Sequence, residues 1–185
     1  MEAHGKAPKQ IILDLDATDD PLHGHQEGRF FHGYYDGYCY LPLYVFCGRH
    51  LLVSKLRRSN IDGLRFVSEI GRLVVQIRRQ WPRTRILLRA DSGFCREELM
   101  VWCEANKVDY LFGLARNARL VAEIAPELAT AEGRSHAHRQ TCPAASGTSP
   151  GRPSTAGAGR ARVVGKAEWT CSESNPRFGR DLAPA

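Results

Sequence analysis

Between Glu132 and Arg162 the chain contains no Ile, Leu, Val, Met, Phe, Trp or Tyr; these 31 residues are chiefly Ala, Arg, Gly, Ser, Thr and Pro. Such a stretch has little apolar surface to set against the entropy cost of ordering a backbone. It limits what the chain can fold into. A folded unit is expected within residues 1–131, followed by a low-complexity, disordered segment at 132–162 and a short tail at 163–185. A length of about 130 residues suffices for one α/β domain. Charge divides the same way. The whole chain has 26 Lys+Arg and 20 Asp+Glu, a net +6; residues 1–131 hold 18 and 16 of these, and residues 132–185 hold 8 and 4. The tail therefore carries +4 of the total, and the expected folded unit is close to neutral.

Several classes are excluded. No run approaches the roughly 20 consecutive apolar residues of a membrane-spanning helix. The N-terminus, MEAHGKAPKQ, lacks the apolar stretch and small-residue cleavage site of a secretory signal. Six cysteines in 185 residues, none in a C-x-x-C pair, do not make a disulfide scaffold. Reduced thiols and a cytoplasmic location are expected.

Ile11 to Asp16 reads as an apolar strand ending in acid, with Asp14 and Asp16 on one face and Leu13 and Leu15 on the other. Residues 17–28 read as a polar, turn-rich segment and 29–40 as loosely alternating strand. Residues 43–47 and 51–56 flank Gly48-Arg49 as a hairpin. Asn60 is placed to cap a helix from about 62 to 80, with Leu64, Val67, Ile70, Val74, Ile77 and Trp81 at helical spacing and Pro82 beyond its end. Residues 85–91 form a second apolar strand ending in acid, at Asp91. A helix at 96–105, a strand at 110–114 and a helix at 118–128 capped by Asn117 complete the pattern. Three antiparallel strands followed by alternating helices and strands predict an α/β fold, a mixed sheet flanked by helices.

Chemistry is expected where strand ends meet loops. A carboxylate closing an apolar strand is costly to desolvate without a positive partner. Asp16 and Asp91, if their strands are neighbours, suit a divalent cation, Mg²⁺ or Mn²⁺, through hard oxygen ligands. The plainer alternative has Asp16 capping its turn and Asp91 capping the helix near Phe94. His23 and His25, with His32, Cys39 and Cys47, match no usual zinc spacing and are read as core or surface residues. Arg57, Arg58 and Asn60 are candidates for phosphate contacts, with a solvated strand end as the alternative. Arg78, Arg79, Arg83 and Arg85 read as a wet helix end.

The segments DLDATDDPLHGHQEGRFFHGYYDGYCYLPLYVFCG, LLVSKLRRSNIDG and ILLRADSGFCREELMVWCEANKVDYLFGLARN resemble the DDE transposases of bacterial insertion sequences, most closely the insertion-sequence family 1380 type. The resemblance runs over about residues 9–121. It implies a ribonuclease-H-like catalytic core, a two-metal site for Mg²⁺ or Mn²⁺, hydrolysis of a phosphodiester at the element's terminal repeats, and attack of the freed 3′-hydroxyl on target DNA. It places the first catalytic acid at Asp16, in D-A-T, and the second at Asp91, in R-A-D-S-G-F; Asp14, Asp19 and Asp20 receive no ligand role.

The family's third acid, a Glu on a downstream helix, has no counterpart: Glu123, Glu127, Glu132, Glu168 and Glu173 all lack its Tyr and Arg context. The pattern fades after Leu128 and returns at residues 163–169 and 175–178, as two compensating frameshifts would produce. The expectation is an incomplete, inactive, frame-disrupted transposase core fragment. Its expected partners are the terminal repeats, target DNA, a second copy and intact transposase. The alternatives are a non-catalytic DNA-binding remnant that interferes with intact transposase, and a residual metal-dependent nuclease.

Overall fold

The eight-residue word QIILDLDA is an apolar run that closes on Leu-Asp-Leu-Asp, and its burial alternates with the period of a strand that has one face in a core. In the computed structural model, which describes residues 6–60, 66–137, 145–153, 162–170, 173–174 and 176–181, this word is strand β1, Gln10–Ala17, with Ile11, Leu13 and Leu15 buried. The chain divides into two units, residues 1–109 and 110–185.

In the first unit β1 is flanked on one side by β5 (Leu43–Cys47), which pairs antiparallel with it and turns at Gly48 into β6 (His50–Lys55). On its other side lies β7 (Arg85–Ala90), parallel, in register from Gln10↔Arg85 to Leu15↔Ala90. The order β6-β5-β1-β7, three antiparallel strands and then a parallel neighbour, is a mixed sheet, as the sequence predicts. A second, smaller sheet in this unit has the order β2-β4-β3, from Asp20–Pro21, Phe30–His32 and Gly37–Tyr40.

A parallel pair needs a crossover, and helix α1 (Val67–Gln80) supplies it. Its Ile70, Val74 and Ile77, spaced four and three apart, are buried. Pro82 follows the helix, whose last bond runs from the Trp81 N–H to the Ile77 carbonyl, 2.7 Å. The start differs from the sequence expectation. Asn60 sits in an exposed turn, residues 61–65 lie outside the described residues, and the helix opens after Phe66 with no side-chain cap. Helix α2 (Glu97–Ala105) buries Leu99, Met100 and Cys103. The two helices are close enough that a Cβ on Gly71 would stand 3.5 Å from the Trp102 ring. Arg78 ties the end of α1 to the turn after α2, donating to the carbonyls of Asn106 and Lys107 at 2.6 and 3.0 Å.

The second unit begins from β8 (Asp109–Leu114), whose Tyr110 and Phe112 stack with ring centroids 5.0 Å apart. Asn117 caps α3 (Ala118–Glu123), accepting from the Leu120 N–H at 2.9 Å as its position predicts. The expected single helix is two. The chain breaks at Ile124 and restarts as α4 (Ala125–Ala137), with Pro126 in the first turn, where its missing N–H costs no helix bond.

Beyond the apolar-poor stretch the described residues are strands: β9 (Ala145–Pro153), β10 (Arg162–Thr170), β11 (Glu173–Ser174) and β12 (Arg177–Asp181). β12 pairs antiparallel with β8, Phe178 opposite Leu114, and Ala167 and Phe178 bury against Ile124. β9 lies along β10 by backbone pairing, which asks for no large apolar side chain. Residues 138–144 and 154–161 lie outside the described residues. Among the described residues no helix is long and apolar enough to cross a membrane, and Cys39, Cys47, Cys95 and Cys103 are unbridged.

Leu88, fully buried on β7 beside Leu13, sits at the centre of the first unit. Leu88→Ala is expected to lower unfolding free energy by about 2–5 kcal/mol, read from urea denaturation. A loss below ~1 kcal/mol would show that this core is not close-packed.

Candidate active site at the ends of two parallel strands

Residues registered across a parallel pair point to the same face. Ile11 with Ile86 and Leu13 with Leu88 face the core, and Asp14 with Arg89 faces the other way. Asp16 and Asp91 each stand one residue past the last paired rung, Leu15↔Ala90. They therefore end neighbouring strands on the same face as Asp14 and Arg89, at an interstrand spacing of about 4.8 Å. The structure brings together the two acids singled out from the sequence. Both are exposed.

Each acid has a distinct setting. The Asp91 side chain also caps the short 3-10 turn Ser92–Phe94, its Oδ1 accepting from the Gly93 N–H at 2.9 Å. The capping alternative thus holds for Asp91, and it orients the carboxylate without consuming both oxygens. Asp16 lies opposite Tyr44 of β5. Two residues back along the strands, Asp14 grips Arg89 through both carboxylate oxygens, with Nη2 at 2.9 Å from Oδ2 and Nε on Oδ1. The carboxylate holds the Arg89 guanidinium above its ordinary pKa. The one cation of this rung is thereby bound to Asp14, the acid to which the sequence assigned no role.

Tyr35, in the turn between β3 and β4, belongs to the site and was not singled out from the sequence. Burial raises its phenol above the ordinary pKa, and the carboxylates of Asp19, Asp91 and Asp16 raise it further. It lies within electrostatic reach of all three. Its ring packs on His32, centroids 5.1 Å apart, and edge-on against Tyr34 at 5.0 Å. No sequence spacing signals this proximity, because it depends on where the hairpin folds back.

The candidate phosphate-contacting residues separate. Arg57 is buried, its Nε donating to the Leu41 carbonyl at 3.0 Å, and burial pushes its pKa down. It joins the 56–59 segment to the loop before β5. Arg58 and Asn60 are exposed. Arg58 lies over Gly28, where φ is +74° and a Cβ would stand 3.0 Å from the Arg58 Nε. The left-handed backbone there favours glycine.

The histidine and cysteine set is not gathered. His25 engages Arg29, Cys39 is buried, and among the described residues no three of His, Cys, Asp and Glu are placed to hold a metal. The same statement bears on the acid pair. Two hard-oxygen ligands at neighbouring strand ends fit one Mg²⁺ or Mn²⁺, which commonly takes one or two carboxylates and fills the remaining positions with water and phosphate. A third carboxylate does not complete the set among the described residues.

A family model described as Transposase DDE domain group 1 matches residues 1–179. A piggyBac transposase, solved by cryo-electron microscopy as a synaptic complex with hairpin DNA, is similar over 97% of this chain and 34% of its own, at 12% sequence identity and a TM-score of 0.48. The chain thus spans about a third of that transposase's length. A search of curated proteins finds no match.

The two arginines are separable by stability. Arg57→Ala leaves the buried Leu41 carbonyl without its donor and is expected to cost about 1–3 kcal/mol. Arg58→Ala is expected to stay within about 0.5 kcal/mol. Equal shifts in thermal denaturation would contradict the separation.

Proposed function

The chain belongs to the transposase DDE domain family, and from that premise we propose that it is a transposase catalytic-core segment whose Asp16 and Asp91 hold a divalent cation, Mg²⁺ or Mn²⁺, against a DNA phosphodiester. The observation that carries the proposal is the register of β1 on β7, which ends two parallel strands in neighbouring acids on one face. Within the family we assign the chain to the insertion-sequence family 1380 type on its D-A-T and R-A-D-S-G-F motifs. Its DNA partners are then the element's terminal repeats and the target.

When bound, such a cation polarises the phosphate and lowers the pKa of its water. The protein's own contributions are positional. Asp16 and Asp91 supply the ligand oxygens, and the Gly93 N–H fixes the Asp91 rotamer. Asp14 keeps the Arg89 charge away from the ligand pair. Arg58 and Asn60, both exposed, contact DNA phosphates, which carry register and affinity rather than sequence information. With two acids gathered instead of three, we infer that the chain binds metal and DNA but does not complete strand cleavage. A bound, unreactive core of this kind would compete with intact transposase for the same DNA. The second reading is a residual metal-dependent nuclease in which another acid replaces the missing carboxylate.

Titration calorimetry with Mn²⁺ should give binding heat with the natural chain and none with the Asp16→Asn/Asp91→Asn variant; equal heats would refute the site. Asp14→Asn releases Arg89 to compete for the ligand oxygens and should weaken Mn²⁺ about tenfold. Nicking of supercoiled DNA that requires Mg²⁺ and Asp16 would replace the inactive reading with the nuclease one.

A further inference from the structure

The two parallel strands have a second pair of ends. Lys9 immediately precedes β1 and Arg85 opens β7, and the Arg85 N–H donates to the Lys9 carbonyl at 3.1 Å. The turn before β7 is held to the same segment, with the buried Thr84 hydroxyl donating to the Pro8 carbonyl at 2.8 Å. A crossover helix returns to the end at which its following strand starts, so α1 finishes here, with Arg78 and Arg79 in its last turn and Arg83 just beyond. The turn after α2 is joined to it, through the bonds from Arg78 to the carbonyls of Asn106 and Lys107. Four separate stretches thus bring six cations, Lys9, Arg78, Arg79, Arg83, Arg85 and Lys107, to the end of the sheet opposite Asp16 and Asp91.

Structural duties occupy two of the six. Arg78 closes the helix ends, and Arg85 pairs with Asp109 at 2.8 Å. Lys9, Arg79, Arg83 and Lys107 are exposed, and none of the ion pairs among the described residues includes them. The carboxylates of this end, among the described residues, are the half-buried Glu104 and the already paired Asp109. The excess is local. Residues 1–109 hold 16 Lys+Arg and 14 Asp+Glu, so without these six cations and two acids the remainder has 10 and 12. No large exposed apolar side chain lies at residues 6–10, 78–85 or 104–109. A protein partner needs an apolar centre to its interface, whereas a phosphate backbone needs only charge and donors. Seven residue steps of strand, about 23 Å, separate Lys9 from Asp16, so a phosphate bound here is not one held at the acid pair.

We propose that this basic end, Arg79, Arg83 and Lys107 with Lys9, is a metal-independent site for the phosphate backbone of duplex DNA, separate from the acid pair. One folded unit then holds two different stretches of DNA, one at each end of its parallel strands. The site rests on the DNA-binding reading above and adds to it a place of contact that needs no bridging cation.

The test is fluorescence anisotropy of a labelled duplex of about 20 base pairs with the full chain in EDTA, which keeps divalent cations off the acid pair. Arg79→Ala/Arg83→Ala/Lys107→Ala should bind about tenfold more weakly than the natural chain, and its plot of log affinity against log salt should be shallower by about 2.7. The same charge removed elsewhere, in Arg49→Ala/Arg116→Ala/Arg119→Ala, should weaken binding less than about threefold. All six side chains are exposed, and Arg79→Lys/Arg83→Lys/Lys107→Arg, which keeps the charge, should bind as the natural chain does. Equal losses in the two alanine triples would overturn the site in favour of net charge, and natural affinity in the first would overturn it outright. Poly-glutamate that binds more tightly than the duplex, and is lost with the first triple, would assign the surface to an acidic protein and overturn the DNA site. The first triple should retain the Mn²⁺ heats, and Asp16→Asn/Asp91→Asn should retain binding in EDTA. A natural chain that gives Mn²⁺ heats but binds no duplex in EDTA overturns this site alone, and one that does neither overturns both.

Discussion

The parallel ladder between β1 and β7 is the constraint on which the first unit depends. Once Gln10 is set beside Arg85, every later rung is determined. Isoleucine faces isoleucine and leucine faces leucine on the core side, while Asp14 meets Arg89 on the other. The acids then fall together at the open end without any further interaction to place them. A slip of one residue would turn Leu13 and Leu15 outward and drive carboxylates into the core, a change opposed both by lost apolar burial and by buried charge. Register is therefore enforced by the hydrophobic side, and the active face inherits it.

Much of this was legible in the sequence because the strands are short apolar runs bounded by charge. QIILDLDA and RILLRA state their own faces, and Asn117 states its own cap. What could not be read was anything depending on two distant segments meeting. The Asp14–Arg89 pair spans 75 residues of chain. Arg57 and Arg58 are adjacent in sequence and opposite in burial, which composition does not reveal. Asn60 looked like a cap by residue type, but the helix takes its start from the packing of Phe66 edge-on against Phe94, centroids 5.2 Å apart. Phe178 likewise packs on Ile124 and pairs with Leu114, contacts between segments far apart in the chain.

The residues around the site divide their labour by charge. Asp14 neutralises the nearest arginine, Gly93 steers Asp91, and Arg58 and Arg29 stand at the base of an aromatic hairpin. Carboxylates thus stand at the strand ends, while Arg29 and Arg58 lie along the loop that leads into β3.

The burial pattern of β1 separates two kinds of position. Ile11, Leu13 and Leu15 face the core while Asp14 and Asp16 face away, so a substitution at Asp16 leaves the buried face whole and the folded unit standing.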